Sequence, residues 1–364
     1  MEGVSHFSES YEQAREKFLS ASEAAGASVA AYENPVAAEG PVRLYTDVAV
    51  LGPAKAPVAL ALGSGTHGVE GLCGSGIQVG LLNEGFLRHA SSAHRVVLVH
   101  AINPYGFARI RRANEDNVDL NRNFIDHSKP HPENRDYDKL ARALAPTASW
   151  LLRSGASLAR LRLYQLVHGK GALQAAVTRG QYRHPKGLFY GGVSDTWSNR
   201  TFRRIVREHF SAAERVAFID FHTGLGPNGY GELISNYLLG SPEHNRAVEW
   251  WGDRVKTTKA GESVSADLTG AIKLCLFDEL PEAEVTAATL EFGTVPPLRV
   301  LRALQAENWL HHYGGHGHAR AARIKTQLRR VFYPDSEDWR AQVWGQGAEV
   351  VAAALKGLAV RSKR

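Results

Sequence analysis

Val58-Ala-Leu-Ala-Leu62 runs directly into Gly63-Ser-Gly-Thr-His67-Gly-Val-Glu70. An apolar run without a polar break reads as a strand buried on both faces, as in parallel sheets. The glycine-rich loop Gly63-Ser-Gly-Thr-His-Gly68 follows at its carboxyl end, where open α/β sheets build their sites. His67 and Glu70 can place an imidazole and a carboxylate beside one divalent cation. Such a pair is weak on its own, because the chain has 16 histidines and two solvated loop residues would look the same. The reading turns on whether other strands end alike.

Two others do. Val216-Ala-Phe-Ile-Asp-Phe-His222 is an apolar run ending in a histidine before Thr-Gly-Leu-Gly, and Val285-Thr-Ala-Ala-Thr-Leu-Glu291 ends in a carboxylate before Phe-Gly-Thr. Two neutral imidazoles and one carboxylate leave a fourth zinc position for water. Magnesium and calcium prefer oxygen ligands and do not suit two histidines. Glu291, alone at a strand end, would usually be a pairing or capping group. Beside a metal site it could accept a proton from water attacking a carbonyl.

Further β-like runs occupy 43–51, 95–101 and 232–238, and helical patterns fall at 7–25, 74–84, 138–152, 199–211, 242–257 and 297–312. In the first helix Tyr11, Ala14, Phe18 and Leu19 share a face. Strands separated by helices predict an α/β three-layer sandwich with a mixed, largely parallel central sheet. The chain, residues 1–364, is expected to form a single domain, with a helix-rich insertion at about 125–214 bordering the site.

The 364 residues, 44% of them hydrophobic, suffice for a large core. No long uncharged apolar run marks a membrane span. The stretch Met1-Glu-Gly-Val-Ser-His-Phe-Ser-Glu lacks the pattern of a signal peptide. Cys73 and Cys275 suit packing in a reducing environment, so a cytoplasmic location is expected. The formal charge of +6 comes with basic clusters at 203–207, 320–330 and the tail Arg361-Ser-Lys-Arg364. No basic stripe with interleaved aromatics accompanies them, so no nucleic-acid partner is expected.

Between the first two histidine-bearing strands lies Arg112-Ala-Asn-Glu-Asp-Asn-Val-Asp119-Leu-Asn121-Arg122-Asn123-Phe124. A solvated loop can have this composition. It also suits recognition of carboxylates and oxyanions by planar, two-pronged guanidinium contacts. With Asn103-Pro-Tyr-Gly106, Asp220-Phe-His222 and Leu290-Glu-Phe-Gly-Thr294, the motifs resemble, in order, those of M14-type zinc carboxypeptidases. Gly65-Thr-His-Gly-Val-Glu-Gly71 and the region 103–124 are closer still to the bacterial DUF2817 branch. The resemblance spans about residues 5–320.

It implies one Zn2+ ion held by His67, Glu70 and His222, with Glu291 as general base and Arg112 stabilising the oxyanion. Asn121 and Arg122 would grip a substrate carboxylate, and Asp119 would orient His67. The implied reaction cleaves an amide next to a carboxylate-bearing group, on a small peptide or an acyl amino acid. An N-acyl amino acid deacylase of the aspartoacylase-like type is an alternative, as is a non-catalytic zinc-containing binding protein. The family's Asn-Pro-Asp-Gly reads Asn103-Pro-Tyr105-Gly106 here. No tyrosine between His222 and Glu291 matches its substrate-binding tyrosine, because Tyr230 and Tyr237 follow His222 too soon.

Several features compete for attention. His311-His-Tyr-Gly-Gly-His316-Gly-His318 is dense in histidine but lacks a strand scaffold, and reads as a helix end. Ser64 does not sit in a Gly-x-Ser-x-Gly elbow. His100 reads as a packed core histidine. The tract Gln181-Tyr-Arg-His-Pro-Lys-Gly-Leu-Phe-Tyr190 is either a wall of the site or a surface loop.

Overall fold

The computed structural model describes residues 4–36, 43–87, 94–147, 150–315 and 317–360. Eight strands form one sheet: β1 (Ser28–Glu33), β2 (Tyr45–Leu51), β3 (Val58–Ser64), β4 (Arg95–His100), β5 (Arg215–Asn228), β6 (Gly231–Ser235), β7 (Val255–Thr257) and β8 (Glu284–Gly293). Their order is β1-β2-β4-β3-β5-β8-β6-β7. The central run β4-β3-β5-β8 is parallel throughout, while β1, β2 and the β6–β8 pairing are antiparallel. The expected α/β fold, with a mixed sheet parallel at its centre, is what the chain adopts.

Alternation along the central strands divides the core. Leu60, Leu62, Leu98, Ile219 and Leu290 pack with helices Tyr11–Ala24, Gly71–Asn83 and Glu337–Ala359 on one face. Ala59, Ala61, Val97, Val99, Phe218 and Ala287 meet helix Trp197–Phe210 and the short helix Cys275–Glu279 on the other. Successive strand side chains point to opposite faces, so strands covered on both sides are apolar along most of their length. Each large side chain so buried contributes about 1.5–3 kcal/mol. Cys73 and Cys275 are unpaired and buried in these two cores, one in each.

Several boundaries differ from the sequence reading. The pattern at 138–152 is two helices, Arg135–Leu144 and Trp150–His168. Ala145 leaves the helical region just ahead of Pro146, as a residue before proline must. The pattern at 242–257 ends at Trp251, where Gly252 has φ 61° and ψ −145°, and the chain then forms β7. Within 125–214, Trp197–Phe210 packs on the sheet itself. A separate apolar cluster joins Arg135–Leu144 to Trp150–His168 and Lys170–Thr178. No helix among the described residues is long and apolar enough to cross a membrane.

Candidate active site

The chain leaves β3 through Gly65, whose φ of 71° is a left-handed conformation suited to glycine. It then makes a single 3-10 turn, Gly68–Glu70, capped by His67. Residues i and i+3 eclipse in such a turn, so His67 and Glu70 project from one side. The turn is docked tightly on the neighbouring loop: Gly68 N–H donates to Arg112 O at 3.2 Å and Val69 N–H to Arg111 O at 2.8 Å. A Cβ on Gly68 would lie 2.0 Å from the carbonyl carbon of Gly106. The His-Gly-Val-Glu and Asn-Pro-Tyr-Gly motifs are therefore two halves of one packed backbone contact.

His222 comes from β5. That strand continues to Asn228, past the histidine that ends its apolar run, but its pairing with β3 ends at the Ser64–Phe221 step. His222 therefore emerges where the β3–β5 pair ends, beside the loop bearing His67. Its Nδ1 lies 3.1 Å from His67 Nδ1 and 3.1 Å from Glu70 Oε2, and His67 Nδ1 lies 3.1 Å from Glu70 Oε1. Ligands about 2.0–2.1 Å from a tetrahedral zinc stand roughly 3.3 Å apart, so this donor set fits one such ion. Among the described residues it is the sole group of three or more His, Cys, Asp and Glu side chains close enough to share a cation. His311, His312 and His318 form no such group, and His316 and the tail 361–364 lie outside the described residues.

Each imidazole is fixed from behind. His67 Nε2 lies 3.0 Å from Asp119 Oδ1, and His222 Nε2 bonds Asp220 Oδ2. With Nδ1 turned to a cation, Nε2 carries the ring proton and donates to the carboxylate. Arg112 Nη2, 2.9 Å from His67 Nε2, then faces a donor. The guanidinium's effective hydrogen bonds are therefore those from Nη1 to Glu70 Oε1 at 2.7 Å and from Nε to Asp119 Oδ2 at 3.1 Å. Asp220 also accepts from Thr66 Oγ1 at 3.0 and 2.9 Å. Its role was missed in the sequence, although Asp220 and His222 stand two apart on one strand and share a face.

The acidic groups are driven apart. Burial favours a neutral Glu70, but the charge of His67 and hydrogen bonds from His222 and His67 outweigh it and hold the carboxyl well below its usual range. Asp119 is likewise held low, burial being overcome by Arg122 and Arg112. Glu291 goes the other way, pushed up to about 7 by burial and by the charge of Glu70. For His222, burial is outweighed by Asp220 and Glu70, which raise it to about 10. A proton and a cation compete for the same Nδ1 lone pair.

Glu291 accepts at Oε1 from Leu225 N–H at 2.9 Å. With His67, His222, Arg112, Asn121 and Arg122 it lines a cavity of about 680 Å3. Asn121 Oδ1 accepts from Ile272 N–H at 2.9 Å, which leaves its Nδ2 as a donor. Arg122 Nε and Nη2 donate to Thr178 O, and Nη1 donates to Asp119 Oδ1 at 3.3 Å. Phe189, in a left-handed conformation with φ 54°, lies 5.5 Å from the Arg112 guanidinium carbon and 5.6 Å from that of Arg122. Through Phe189 the tract 181–190 walls the cavity. Leu158, Leu161, Leu173 and Val177 add an apolar wall from the helices Trp150–His168 and Lys170–Thr178. Tyr230 and Tyr237 do not line it.

The family model described as protein of unknown function (DUF2817) matches residues 7–346. The chain belongs to this family. No curated protein matches the sequence. Among solved structures, this DUF2817 member is similar to carboxypeptidase A from Helicoverpa armigera, at 12% identity and a TM-score of 0.46, over 88% of this chain and 73% of that one. It is also similar to an aspartoacylase family protein from Mesorhizobium loti, at 14% identity and a TM-score of 0.38, over 79% and 67%. For Fimbriiglobus ruber glutaminyl cyclase the identity is 11% and the TM-score 0.41, over 94% and 85%.

Proposed function

We propose that the protein is a zinc-dependent, carboxypeptidase-like hydrolase of an amide bond adjacent to a carboxylate-bearing group. One observation carries the reading: the Nδ1 atoms of His67 and His222 and the carboxylate of Glu70, brought together from two strand ends, approach one another to 3.1 Å at the cavity that Glu291 lines. His67, Glu70 and His222 would hold the ion. When bound, zinc supplies Lewis acidity, polarising a carbonyl and making water easier to deprotonate.

Glu291 Oε1 is tied to Leu225 N–H, and among the described residues no hydrogen bond engages Oε2. That oxygen takes the proton of the attacking water and returns it to the leaving nitrogen. A carboxyl shifted toward neutrality by burial suits both steps. Arg112 presents a partly buried guanidinium to the oxygen on which negative charge develops. Its Nη1 donates to Glu70 Oε1 at 2.7 Å, which holds the guanidinium beside the residues that would bind the ion. Asn121 Nδ2 and Arg122 receive the substrate carboxylate.

Deacylation of N-acyl amino acids is a second reading, favoured by the apolar wall of Leu158, Leu161, Leu173 and Val177, which suits an acyl chain. A purely binding role gives Glu291 no task beside the metal ligands. The decisive experiment measures zinc in the purified protein and screens peptides and N-acyl amino acids before and after chelation. We expect one zinc per chain, with activity lost on chelation and restored by zinc. Failure to take up zinc, or turnover indifferent to chelation, would overturn the proposal.

A further inference from the structure

Lys273 is a cation in an unusual place. It belongs to the 3-10 turn Ile272–Leu274, is only 4% exposed and lines the same cavity as Glu291. Its Nζ donates to Ile234 O at 2.6 Å and lies 3.4 Å from Thr289 Oγ1. Ile234 and Thr289 are register partners across β6 and β8, so the ammonium rests on that strand pair. Thr289 and Glu291 are two apart on β8 and project from one face, about 7 Å from each other. The ammonium thus contacts the residue two positions before the proposed base on the same strand.

No carboxylate among the described residues pairs with it at ion-pair distance. Asp220 and Asp267 attract it from farther away, and both are engaged elsewhere. Asp220 is held by Thr66 and His222, and Asp267 by Lys259, Thr258 and Asn236. Burial without a close counter-charge lowers the Lys273 pKa to about 7. A buried charge left unpaired is costly, and a protein that keeps one inside a ligand cavity can pair it with a ligand. The turn is also tied to the carboxylate-binding loop, because Ile272 N–H holds Asn121 Oδ1.

We propose that Lys273 is a specificity-determining residue that pairs with a second carboxylate on the substrate, beyond the one received by Asn121 and Arg122. This rests on the hydrolase reading and narrows it to amides of dicarboxylic amino acids. The leaving amine would carry one carboxylate beside the scissile bond and another on its side chain. A neutral side chain of the same shape would leave the ammonium without a partner.

The test compares N-acyl-glutamate with N-acyl-glutamine, and glutarate with butyrate, on the zinc-loaded wild type and on Lys273→Met. Methionine keeps the length and removes the charge, and circular dichroism with a thermal midpoint establishes that the variant folds. The wild type is expected to prefer the glutamate amide by about tenfold or more in kcat/KM, and Lys273→Met to lose that preference while retaining turnover of the glutamine amide. Calorimetry is expected to show glutarate binding at least about tenfold tighter than butyrate to the wild type, and the two alike to the variant. Glutarate selectivity without cleavage of any amide would sustain the Lys273 assignment and sink the hydrolase reading. Equal binding of glutarate and butyrate to the wild type, or a selectivity that Lys273→Met leaves unchanged, would overturn the assignment itself.

Discussion

His222 and Glu291 are direct register partners on the adjacent parallel strands β5 and β8. Parallel pairing sets partner side chains on one face about 4.8 Å apart at the backbone, so a proposed ligand and a proposed base are placed by the sheet itself. Neither needs a mobile loop to reach the other. This rigidity lets the two groups be tested separately.

Glu291→Gln keeps the shape of the side chain and removes its capacity to accept a proton. Zinc stoichiometry should stay at that of the wild type, while kcat on any active substrate falls by about 10²–10⁴-fold. Zinc analysis alongside steady-state kinetics checks this. Unchanged turnover would show that the proton leaves by another route.

Asp220→Asn leaves the three ligands in place but takes the charge from behind His222. Zinc affinity, measured by competition with a chromophoric chelator, should weaken by about 10–100-fold. Thr66→Val should act in the same direction and more weakly, since Thr66 serves only to hold Asp220. An affinity equal to the wild type in Asp220→Asn would mean that the ring needs no such support.

Gly68→Ala and Gly155→Ala should have opposite effects. The first forces a methyl to 2.0 Å from backbone, where nothing flexible can yield, so a loss of about 3 kcal/mol or more and a lower thermal midpoint are expected. The second adds a methyl in open space inside helix Trp150–His168 and should stabilise by up to about 1 kcal/mol. A tolerated Gly68→Ala would show that the 67–70 turn is not clamped against 103–112.

His100 makes stability depend on pH. The ring is fully buried, stacked 4.5 Å from Phe18 and 3.0 Å from Ser75 Oγ, and burial together with Arg15 lowers its pKa to about 3. In the unfolded chain it protonates near ~6.5. The unfolded state therefore binds more protons between these values, and stability falls as pH drops from about 6.5 toward 3, by at most roughly 4–5 kcal/mol. His100→Leu should shrink the gap between urea midpoints at pH 7 and pH 4.5. An undiminished gap would assign the acid sensitivity to other groups.

The proposed ligands His67, Glu70 and His222 were legible because the runs 58–62 and 216–221, apolar except for Asp220, lead toward them, as burial on both faces of a parallel strand favours. Other parts left weaker marks. β1 has an almost wholly exposed edge and no alternation, and β7 has three residues. Phe189 enters the cavity through a left-handed backbone that no local pattern announces. Lys273 stands alone in the apolar stretch Ala271-Ile-Lys-Leu-Cys-Leu-Phe277, and what its ammonium meets is decided only when the 272–274 turn closes over β6 and β8. Such placements depend on distant pairings, and local periodicity does not encode them.

The Thr178 carbonyl is held by Arg122 through both Nε and Nη2. Any anion that claims this fork of the arginine must first displace that carbonyl, which ends the helix Lys170–Thr178. Docking at Arg122 and release of the helix end are therefore thermodynamically linked, and the affinity measured for a carboxylate is a net exchange. A variant that weakens the helix end would gain anion affinity without altering a single atom that touches the anion.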